Sequence, residues 1–229
     1  MKISIIGGAG RVGTAIAYAL INGVRAEEIV LVDIMKNQAQ GEALDLGHAA
    51  VTLSPGTKIT GTDDYSAIKG SDIVVFTAGR ARKPGETREQ LFGFNAKIAR
   101  DASAKIKQYA PAAKVIVVTN PSTQIGKVVQ ETTGFPASQI IVMDNQLDTA
   151  RLRYYISQET GMPVQSIKSR AKGEHGEDMD FEIKDNLTAE QAARAKRLTK
   201  EAGMSIIRLK GYTCWGVASQ VAEEVKKLK

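Results

Sequence analysis

The chain has 229 residues, 43% of them hydrophobic, and its 31 basic and 25 acidic side chains give a formal net charge of +6. This length allows one large or two modest domains, and no apolar run approaches the roughly 20 residues of a membrane-spanning helix. Because basic residues are interspersed with acidic ones and aromatic residues make up only 5%, composition argues against nucleic-acid and membrane partners and favours a surface that attracts small anions.

Short apolar runs alternate with helical patterns along the first part of the chain. Strands are predicted over residues 3–6, 29–32, 73–77, 115–119 and 140–143, and helices over residues 12–20, 39–49 and 88–109. Continuous apolar strands joined by helices predict an α/β fold whose doubly wound parallel sheet is covered on both faces.

The pattern changes after about residue 144. Further helices are predicted over residues 147–160, 188–207 and 213–228, separated by polar segments. Thr188 and Gln191 have the spacing of a capping box, which predicts that the second of these helices begins there. We therefore predict two domains, residues 1–144 and a second, smaller, mostly helical domain over residues 145–229.

A glycine-rich segment follows the first predicted strand and opens the next helix. The letters GAGRVG run from Gly8 to Gly13, with Gly10 between them. In a G-x-G-x-x-G motif the first glycine permits a tight turn, the second lets the backbone approach a pyrophosphate, and the third allows helix and strand to pack closely. Arg11 and Val12 lie in the first helical turn, whose N–H groups attract phosphates. A strand-to-helix turn without a ligand could use the same glycines.

An acidic residue strengthens this interpretation. Asp33 ends the second predicted strand, 20 residues after Gly13. A carboxylate there accepts hydrogen bonds from the ribose hydroxyls of NAD and repels the 2′-phosphate of NADP. Although a strand-end turn residue without a ligand is the alternative, the register of strand, glycines and acid predicts a Rossmann domain that binds NAD.

Polar groups follow the next two strands at the same predicted sheet edge, where ligands of doubly wound sheets bind. Arg82 and Arg88 flank a loop after residues 73–77, and Asn120 ends the strand that follows. Two guanidiniums suit a dianionic substrate because arginine pairs bidentately with carboxylates. Taken alone, the loop is more typical of a solvated basic surface.

The second half adds an acid, a base and a further cation. Asp148 and Arg151 are three residues apart at the start of a predicted helix and share one face. His175 follows in the sequence GEHG. Transfer of a hydride from carbon requires a base near neutral pH for the proton on oxygen, and histidine suits that task. No metal site is predicted.

Together these motifs resemble those of the malate and lactate dehydrogenase family, and most of all its archaeal-type malate dehydrogenases. The matching segments are GAGRVG with Asp33, ARKPGETR, TNP, LDTAR and GEHG, in this order. The resemblance extends from residue 1 to about 179, and weakly through GYTCWG at residues 211–216.

The resemblance implies a role for each matching residue. His175 would give and take the proton on the substrate oxygen, with Asp148 hydrogen-bonded to its other nitrogen. Arg151 would bind the C1 carboxylate, Arg88 would polarise the reacting carbonyl, and Arg82 would meet a second carboxylate. Asn120 would contact substrate and nicotinamide, and further cofactor contacts are implied for Thr77, Ala78, Gly79 and Asn95.

The choice of substrate depends mainly on Arg82. Facing the methyl group of pyruvate, a buried guanidinium would lack a partner, whereas oxaloacetate supplies a carboxylate. The sequence therefore predicts interconversion of (S)-malate and oxaloacetate. GYTCWG is more like the lactate branch, which keeps an L-lactate dehydrogenase open. Thr213 and Trp215 are candidates to line the pocket, although Trp215 is more typical of a core residue.

Other positions depart from the family pattern. The chain ends where the family continues with strands and a final helix, and residues 179–187 correspond to a longer family segment. Lys172, Asp144 and Glu177 replace residues that the pattern makes apolar, glycine and aspartate. These departures predict a truncated α+β second domain and leave open an NAD-binding form with little or no catalysis.

The remaining expectations concern assembly and location. The resemblance implies a homo-oligomer, either dimer or tetramer, with residues 39–49 as a plausible interface helix. A single cysteine, Cys214, cannot form an internal disulfide, and this favours a reducing cytoplasm.

Overall fold

The computed structural model describes residues 1–81, 85–173 and 179–228. The strands are β1 (Lys2–Ile6), β2 (Glu28–Val32), β3 (Lys58–Thr62), β4 (Ile73–Phe76), β5 (Lys114–Val117), β6 (Ile140–Val142), β7 (Arg170–Lys172) and β8 (Asp180–Glu182). The α-helices are α1 (Arg11–Gly23), α2 (Lys36–Leu53), α3 (Arg88–Tyr109), α4 (Ser122–Thr133), α5 (Gln146–Thr160), α6 (Ala189–Lys210) and α7 (Trp215–Lys227). The chain forms two compact units, one comprising Met1–Met143 with Val217–Lys229 and the other Asp144–Gly216.

The first unit is built on a six-stranded parallel sheet in the order β3-β2-β1-β4-β5-β6. Because the chain moves outward from β1 in one direction and then returns to β4 on its other side, the strand order reverses between β1 and β4. Ile6 pairs with Val32 on β2 and with Phe76 on β4, so three carboxyl ends are level there. This is the topological switch point at which doubly wound sheets bind ligands, and the predicted fold class is confirmed.

Apolar strands hold this unit together. Strands β4 and β5 present alternating residues to a buried layer beneath α3 and α4, comprising Val74, Phe76, Ala99, Ile106, Val115, Val117, Ile125 and Val129. Burial of such runs on both faces is why the parallel sheet reads as continuous apolar sequence. Ser4 is a polar exception inside β1, and its hydroxyl lies 2.7 Å from the hydroxyl of Ser71, so both buried groups are paired.

Two elements of this unit are not predicted by the sequence pattern. Strand β3 reads KITGT, a mostly polar edge strand on which α2 packs closely. A side chain at Gly61 would bring its Cβ within 1.9 Å of the Ala39 carbonyl oxygen, so glycine is required there. Helix α4 follows the Asn120–Pro121 bond and ends at Gly134, whose φ of 72° suits glycine.

The second unit combines α5, α6 and an antiparallel hairpin of β7 and β8. Its core is small and contains Leu152, Ile156, Ile167, Ala171, Met179, Phe181 and Ala195. Thr188 accepts a hydrogen bond from the Gln191 N–H while the Gln191 side chain accepts one from the Thr188 N–H, as the capping-box prediction requires. Val217–Lys229, placed by the sequence in the second domain, groups instead with the first unit.

Among the described residues, none of the helices is long and apolar enough to cross a membrane.

Candidate active site and cofactor site

The turn after β1 is shaped by two adjacent glycines. The N–H groups of Gly7 and Gly8 both donate to the Val32 carbonyl, at 2.8 and 3.1 Å. Gly7 takes a left-handed φ of 82°, so the turn predicted at Gly8 uses both glycines. Gly8 is needed for space, because a Cβ there would lie 2.8 Å from the Cα of Leu31. Gly7 was missed because either glycine of the pair can supply the turn.

The remaining glycines bring α1 against this turn. Gly10 is the N-cap of α1, and Arg11 and Val12 follow in its first turn. A Cβ at Gly13 would lie only 2.4 Å from the Gly7 carbonyl oxygen, which confirms the close packing predicted for the third glycine. The N-terminus of α1 therefore opens directly beside the end of β1, in a geometry that suits a pyrophosphate.

Asp33 lies beside the same turn, directly after β2. Its Oδ2 accepts a hydrogen bond from the Ala9 N–H at 3.1 Å, and its Oδ1 accepts one from the Met35 N–H at 3.1 Å. Because each carboxylate oxygen can accept more than one hydrogen bond, these contacts fix the carboxylate and still allow it to bind ribose hydroxyls. The glycine turn and Asp33 thus fit the adenosine half of NAD.

The segment after β4 meets the glycine turn from the other side of the switch point. Thr77 donates its hydroxyl to the Ile6 carbonyl at 2.9 Å. A Cβ at Gly7 would lie 2.7 Å from the Ala78 nitrogen, so the two turns touch. Thr119, after β5, donates to the Ala78 carbonyl at 2.9 Å. Residues 77–79, where cofactor contacts are predicted, therefore lie against the glycine turn.

The Asn95 side chain joins the segments that follow β4 and β5. Its side chain is fully buried, and its Oδ1 accepts from the Arg80 N–H at 3.0 Å. Its Nδ2 donates to the Asn120 carbonyl at 2.8 Å and to the Arg80 carbonyl at 3.3 Å. These bonds join the loop after β4 to the end of β5, and the direct cofactor contact of Asn95 stays a prediction. The Asn120 residue itself is exposed at the sheet edge.

A residue just before the predicted substrate loop is paired with a residue inside it. Arg80 forms a two-bond ion pair with Glu86, and its guanidinium lies 4.4 Å from the centre of the Phe94 ring. The hydrogen bonds with Glu86 raise the pKa of the Arg80 guanidinium. Arg88 is the first residue of α3. Neither Arg80 nor Glu86 was predicted as a site residue from the sequence.

Two of the predicted chemical groups lie outside the described residues. These are Arg82, which falls within residues 82–84, and His175, which falls within residues 174–178. The side chain of Arg88 is likewise outside the described part of the chain. Their roles stay predictions that follow from the sequence resemblance.

The predicted acid and cation of the second unit are brought together. Asp148 and Arg151 form an ion pair of 3.0 Å in the first turns of α5, with side chains that are 1% and 13% exposed. The Arg151 guanidinium also lies close to the α6 backbone at Gly203, where an added Cβ would be 3.6 Å from one of its nitrogens. The shared face predicted from the three-residue spacing is confirmed.

Two other side chains join α5 to the strand that precedes GEHG. Thr149 accepts a hydrogen bond from the Ala171 N–H at 3.1 Å. Asn145 donates its Nδ2 to the Gly173 carbonyl at 3.2 Å. Sequence reasoning missed both, although Thr149 lies inside the LDTAR segment. These bonds fix the backbone immediately before residues 174–178 relative to Asp148.

The GYTCWG segment provides one partly buried candidate and one exposed aromatic ring. Thr213 is half-buried, as a pocket-lining residue can be. Trp215 is 62% exposed, so the expectation that it belongs to the core is wrong. The Lys210 ammonium lies 4.5 Å from the Tyr212 ring centre and 5.8 Å from that of Trp215, which accounts for part of the surroundings of this ring.

Taken together, the sheet topology, the glycine turn and Asp33 define a dinucleotide-binding α/β protein. Residues 1–142 match the sequence profile of the lactate/malate dehydrogenase NAD binding domain. The chain belongs to the lactate/malate dehydrogenase family, whose members are NAD-dependent dehydrogenases, and the predicted resemblance is confirmed.

Individual relatives extend this match beyond the first unit. A malate dehydrogenase of Caldivirga maquilingensis is 40% identical over 238 aligned residues, covering 99% of this chain and 77% of the relative. L-lactate dehydrogenase 1 of Clostridium acetobutylicum is 43% identical over 176 residues, covering 77% and 55%. Among solved structures, malate dehydrogenase from Archaeoglobus fulgidus in complex with NADH has a TM-score of 0.90 and 37% identity, covering 99% of this chain and 76% of its own.

Proposed function

We propose that the protein interconverts malate and oxaloacetate with NAD as its cofactor. One observation carries the proposal, the buried ion pair of Asp148 and Arg151 at the start of α5. The proposal is supported because a carboxylate that can accept from an imidazole and a guanidinium that can bind a carboxylate are paired on one helical turn. The 40% identity to a malate dehydrogenase over nearly the whole chain supports the same reaction.

Arg151 binds the C1 carboxylate of the substrate in this proposal. A guanidinium has five N–H donors in a planar fork, more than the bond to Asp148 uses. The pairing with Asp148 fixes the fork, so less side-chain freedom is lost when a carboxylate binds bidentately. Lysine at this position would keep the charge and lose the fork.

His175 holds the proton that moves to and from the substrate oxygen. The Asp148 carboxylate accepts a hydrogen bond from the other imidazole nitrogen, which selects the tautomer and stabilises the imidazolium. The bonds from Asn145 and Thr149 to the segment before residue 174 support this arrangement because they hold its backbone at α5. NAD, when bound, supplies the acceptor for the substrate hydride.

The loop arginines complete the site. Arg88 polarises the reacting carbonyl, where negative charge develops during reduction, and a site closed to water strengthens that interaction. Arg82 binds the second carboxylate of oxaloacetate. With pyruvate the same guanidinium would have no carboxylate partner, and leaving a buried charge unpaired costs several kcal/mol, about 3–5 by analogy with broken ion pairs.

A lactate dehydrogenase is the second candidate. The 43% identity to L-lactate dehydrogenase 1 of Clostridium acetobutylicum favours it, although that match covers 176 residues. The two proposed reactions share the hydride transfer. They differ in the substrate group that faces Arg82, which is a carboxylate in oxaloacetate and a methyl group in pyruvate.

Steady-state oxidation of NADH with oxaloacetate and with pyruvate tests the proposal. We expect kcat/KM for oxaloacetate to be larger by at least about 100-fold, since an unpaired polar or charged group commonly costs that much selectivity. Arg82→Gln should narrow the ratio of the two kcat/KM values, whereas Arg25→Gln, at an exposed residue 57 positions before Arg82, should leave this ratio unchanged. A preference for pyruvate in the unmodified protein would establish the lactate reaction instead.

We also propose that the protein is a homo-oligomer in which α2 lies at an interface. The helix exposes Leu44 and Val51, which are 65% and 73% accessible, and exposed apolar side chains on one helix favour burial against a second copy. Light scattering of the purified protein should give a mass above that of one chain, and Leu44→Asp should lower it. A monomeric mass for the unmodified protein would contradict the proposal.

A further inference from the structure

Arg80 and Glu86 form an ion pair with two hydrogen bonds and less exposure than an ordinary surface ion pair. Nη1 of Arg80 donates to Oε2 of Glu86 at 2.7 Å, and Nη2 donates to Oε1. The side chains are 26% and 11% exposed. Exposed single-contact pairs contribute little because ordering two long side chains offsets the attraction. A bidentate pair with restricted exposure is more specific in geometry and stronger.

Arg80 is fixed from two other directions. The buried amide of Asn95 binds both its N–H and its carbonyl, so its backbone cannot shift without breaking those bonds. Its guanidinium also stacks on Phe94, the seventh residue of α3. The cation is therefore already ordered when it meets Glu86, and the pairing loses little additional side-chain entropy.

Glu86 connects this anchor to the start of α3. It directly precedes Thr87, the N-cap, whose hydroxyl accepts from the Gln90 N–H at 3.1 Å while the Gln90 side chain accepts from the Thr87 N–H at 3.0 Å. Arg88 is the next residue. A shift of Glu86 would therefore move the residue that determines where α3 begins.

We propose that Arg80 and Glu86 are positioning residues that fix the start of α3, and with it the place of Arg88 in the reaction, without touching the substrate. The inference rests on the proposed function, in which Arg88 polarises the substrate carbonyl. The same Asn95 side chain that holds Arg80 also binds the Asn120 carbonyl. The start of α3 and the end of β5 consequently share one buried anchor.

Three variants of the full chain test this inference. Glu86→Gln keeps the shape and removes the charge, Arg80→Lys keeps the charge and removes the fork, and the exchange Arg80→Glu with Glu86→Arg restores an ion pair. Glu201→Gln is the matched control, because Glu201 forms an exposed pair with Arg197 on α6.

For Glu86→Gln and Arg80→Lys we expect kcat with oxaloacetate to fall by about 10- to 100-fold, the range that small misplacements of a reacting group cause. The Kd for NADH, from its fluorescence, should change by less than about twofold because Asp33 and the glycine turn are untouched. Hydrogen exchange at the Thr87, Gln90 and Leu91 amides should accelerate as the cap loosens. The exchange variant should regain part of the loss, and the control should match the unmodified protein.

Unchanged amide exchange in both single variants would overturn the inference. Faster exchange with unchanged kcat would also overturn it, since α3 would then be loosened without consequence for the reaction. If the unmodified protein reduced no 2-oxoacid, the proposed function would fail, and amide exchange would still decide whether the pair fixes the start of α3.

Discussion

The two units of the molecule prepare their sites by different means. In the first unit the backbone shapes the cofactor site: the N–H groups of Gly7 and Gly8 donate to one carbonyl, and Gly13 lets α1 approach them. In the second unit the candidate site residues are charged side chains, and Asp148 and Arg151 are paired in α5. A backbone site tolerates most side-chain changes but not an added Cβ, whereas a charged site depends on both members of each pair.

The hairpin of the second unit extends this contrast. Glu182 faces Arg170 across the strands and lies within 3.6 Å or less of charged nitrogens of Arg170, Lys172 and Lys184. Hydrogen bonds from Arg170 and then Lys172 lower the pKa of the Glu182 carboxyl to about 2. One carboxylate therefore compensates three cations on the hairpin that precedes and follows residues 174–178. Five substitutions and two control variants test this contrast.

The largest effect is expected from Asp148→Ala. Removing the carboxylate leaves the Arg151 guanidinium, 13% exposed, without its ion-pair partner, and breaking a buried pair in this way lowers the free energy of unfolding by about 3–5 kcal/mol. Urea unfolding followed by circular dichroism measures the change.

Arg197→Ala provides the control for that measurement. It breaks another ion pair within a helix, whose side chains are 60% and 52% exposed, and should cost no more than about 0.5 kcal/mol. Equal losses in the two variants would show that burial of the Asp148 pair is irrelevant to stability.

A comparable test of the backbone site is Gly13→Ala. The added Cβ would lie 2.4 Å from the Gly7 carbonyl oxygen, and overpacking of this kind costs about 1–3 kcal/mol. NADH affinity should fall with it, because the turn must open. Gly41→Ala in α2 meets no atom within 4 Å and should instead stabilise the protein by about 0.5–1 kcal/mol. Thermal unfolding of both variants checks the opposite signs.

Asp33→Ser tests the acidic group of the cofactor site. Loss of the carboxylate removes hydrogen bonds of about 1.5–3 kcal/mol, so the Kd for NADH should rise by at least about 10-fold. The ratio of NADPH to NADH affinity should increase because the repulsion of the 2′-phosphate is gone. Fluorescence titration with both nucleotides measures the ratio, and a ratio that stayed constant would exclude Asp33 from the ribose site.

The smallest effect concerns pH. Because folding lowers the pKa of Glu182 from 4.5 to about 2, its contribution to stability is complete above about pH 4.5 and is lost as pH falls toward 2. The free energies of unfolding of Glu182→Gln and the unmodified protein should therefore differ most near neutral pH. This difference should shrink as pH falls from about 4.5 toward 2. Unfolding curves at several pH values measure it, and a difference independent of pH would contradict the assigned cause.

Sequence pattern predicts the central sheet well because buried parallel strands are continuous apolar runs. It fails at β3, which has a single large apolar residue, Ile59, in a polar edge strand that depends on α2 for its cover. At Gly8 the pattern does not reveal that Leu31, a residue distant in sequence, leaves no space for a side chain.

Site residues divide in the same way. Asp148 and Arg151 are predictable since helical periodicity alone places them together. Arg80 and Glu86 are six positions apart across a loop, so no regular period brings them together, and their pairing depends on the path of the chain. Asn95 lies within a predicted helix, where the pattern cannot distinguish a buried amide that joins two loops from one that contacts a ligand.

His175→Asn tests most directly whether NAD binding by the first unit is independent of the proton transfer proposed for His175. With the backbone site intact, the Kd for NADH should stay within about twofold of that of the unmodified protein. Turnover of oxaloacetate should fall by at least about 100-fold, the lower range for loss of a general acid. Turnover equal to that of the unmodified protein would contradict the account.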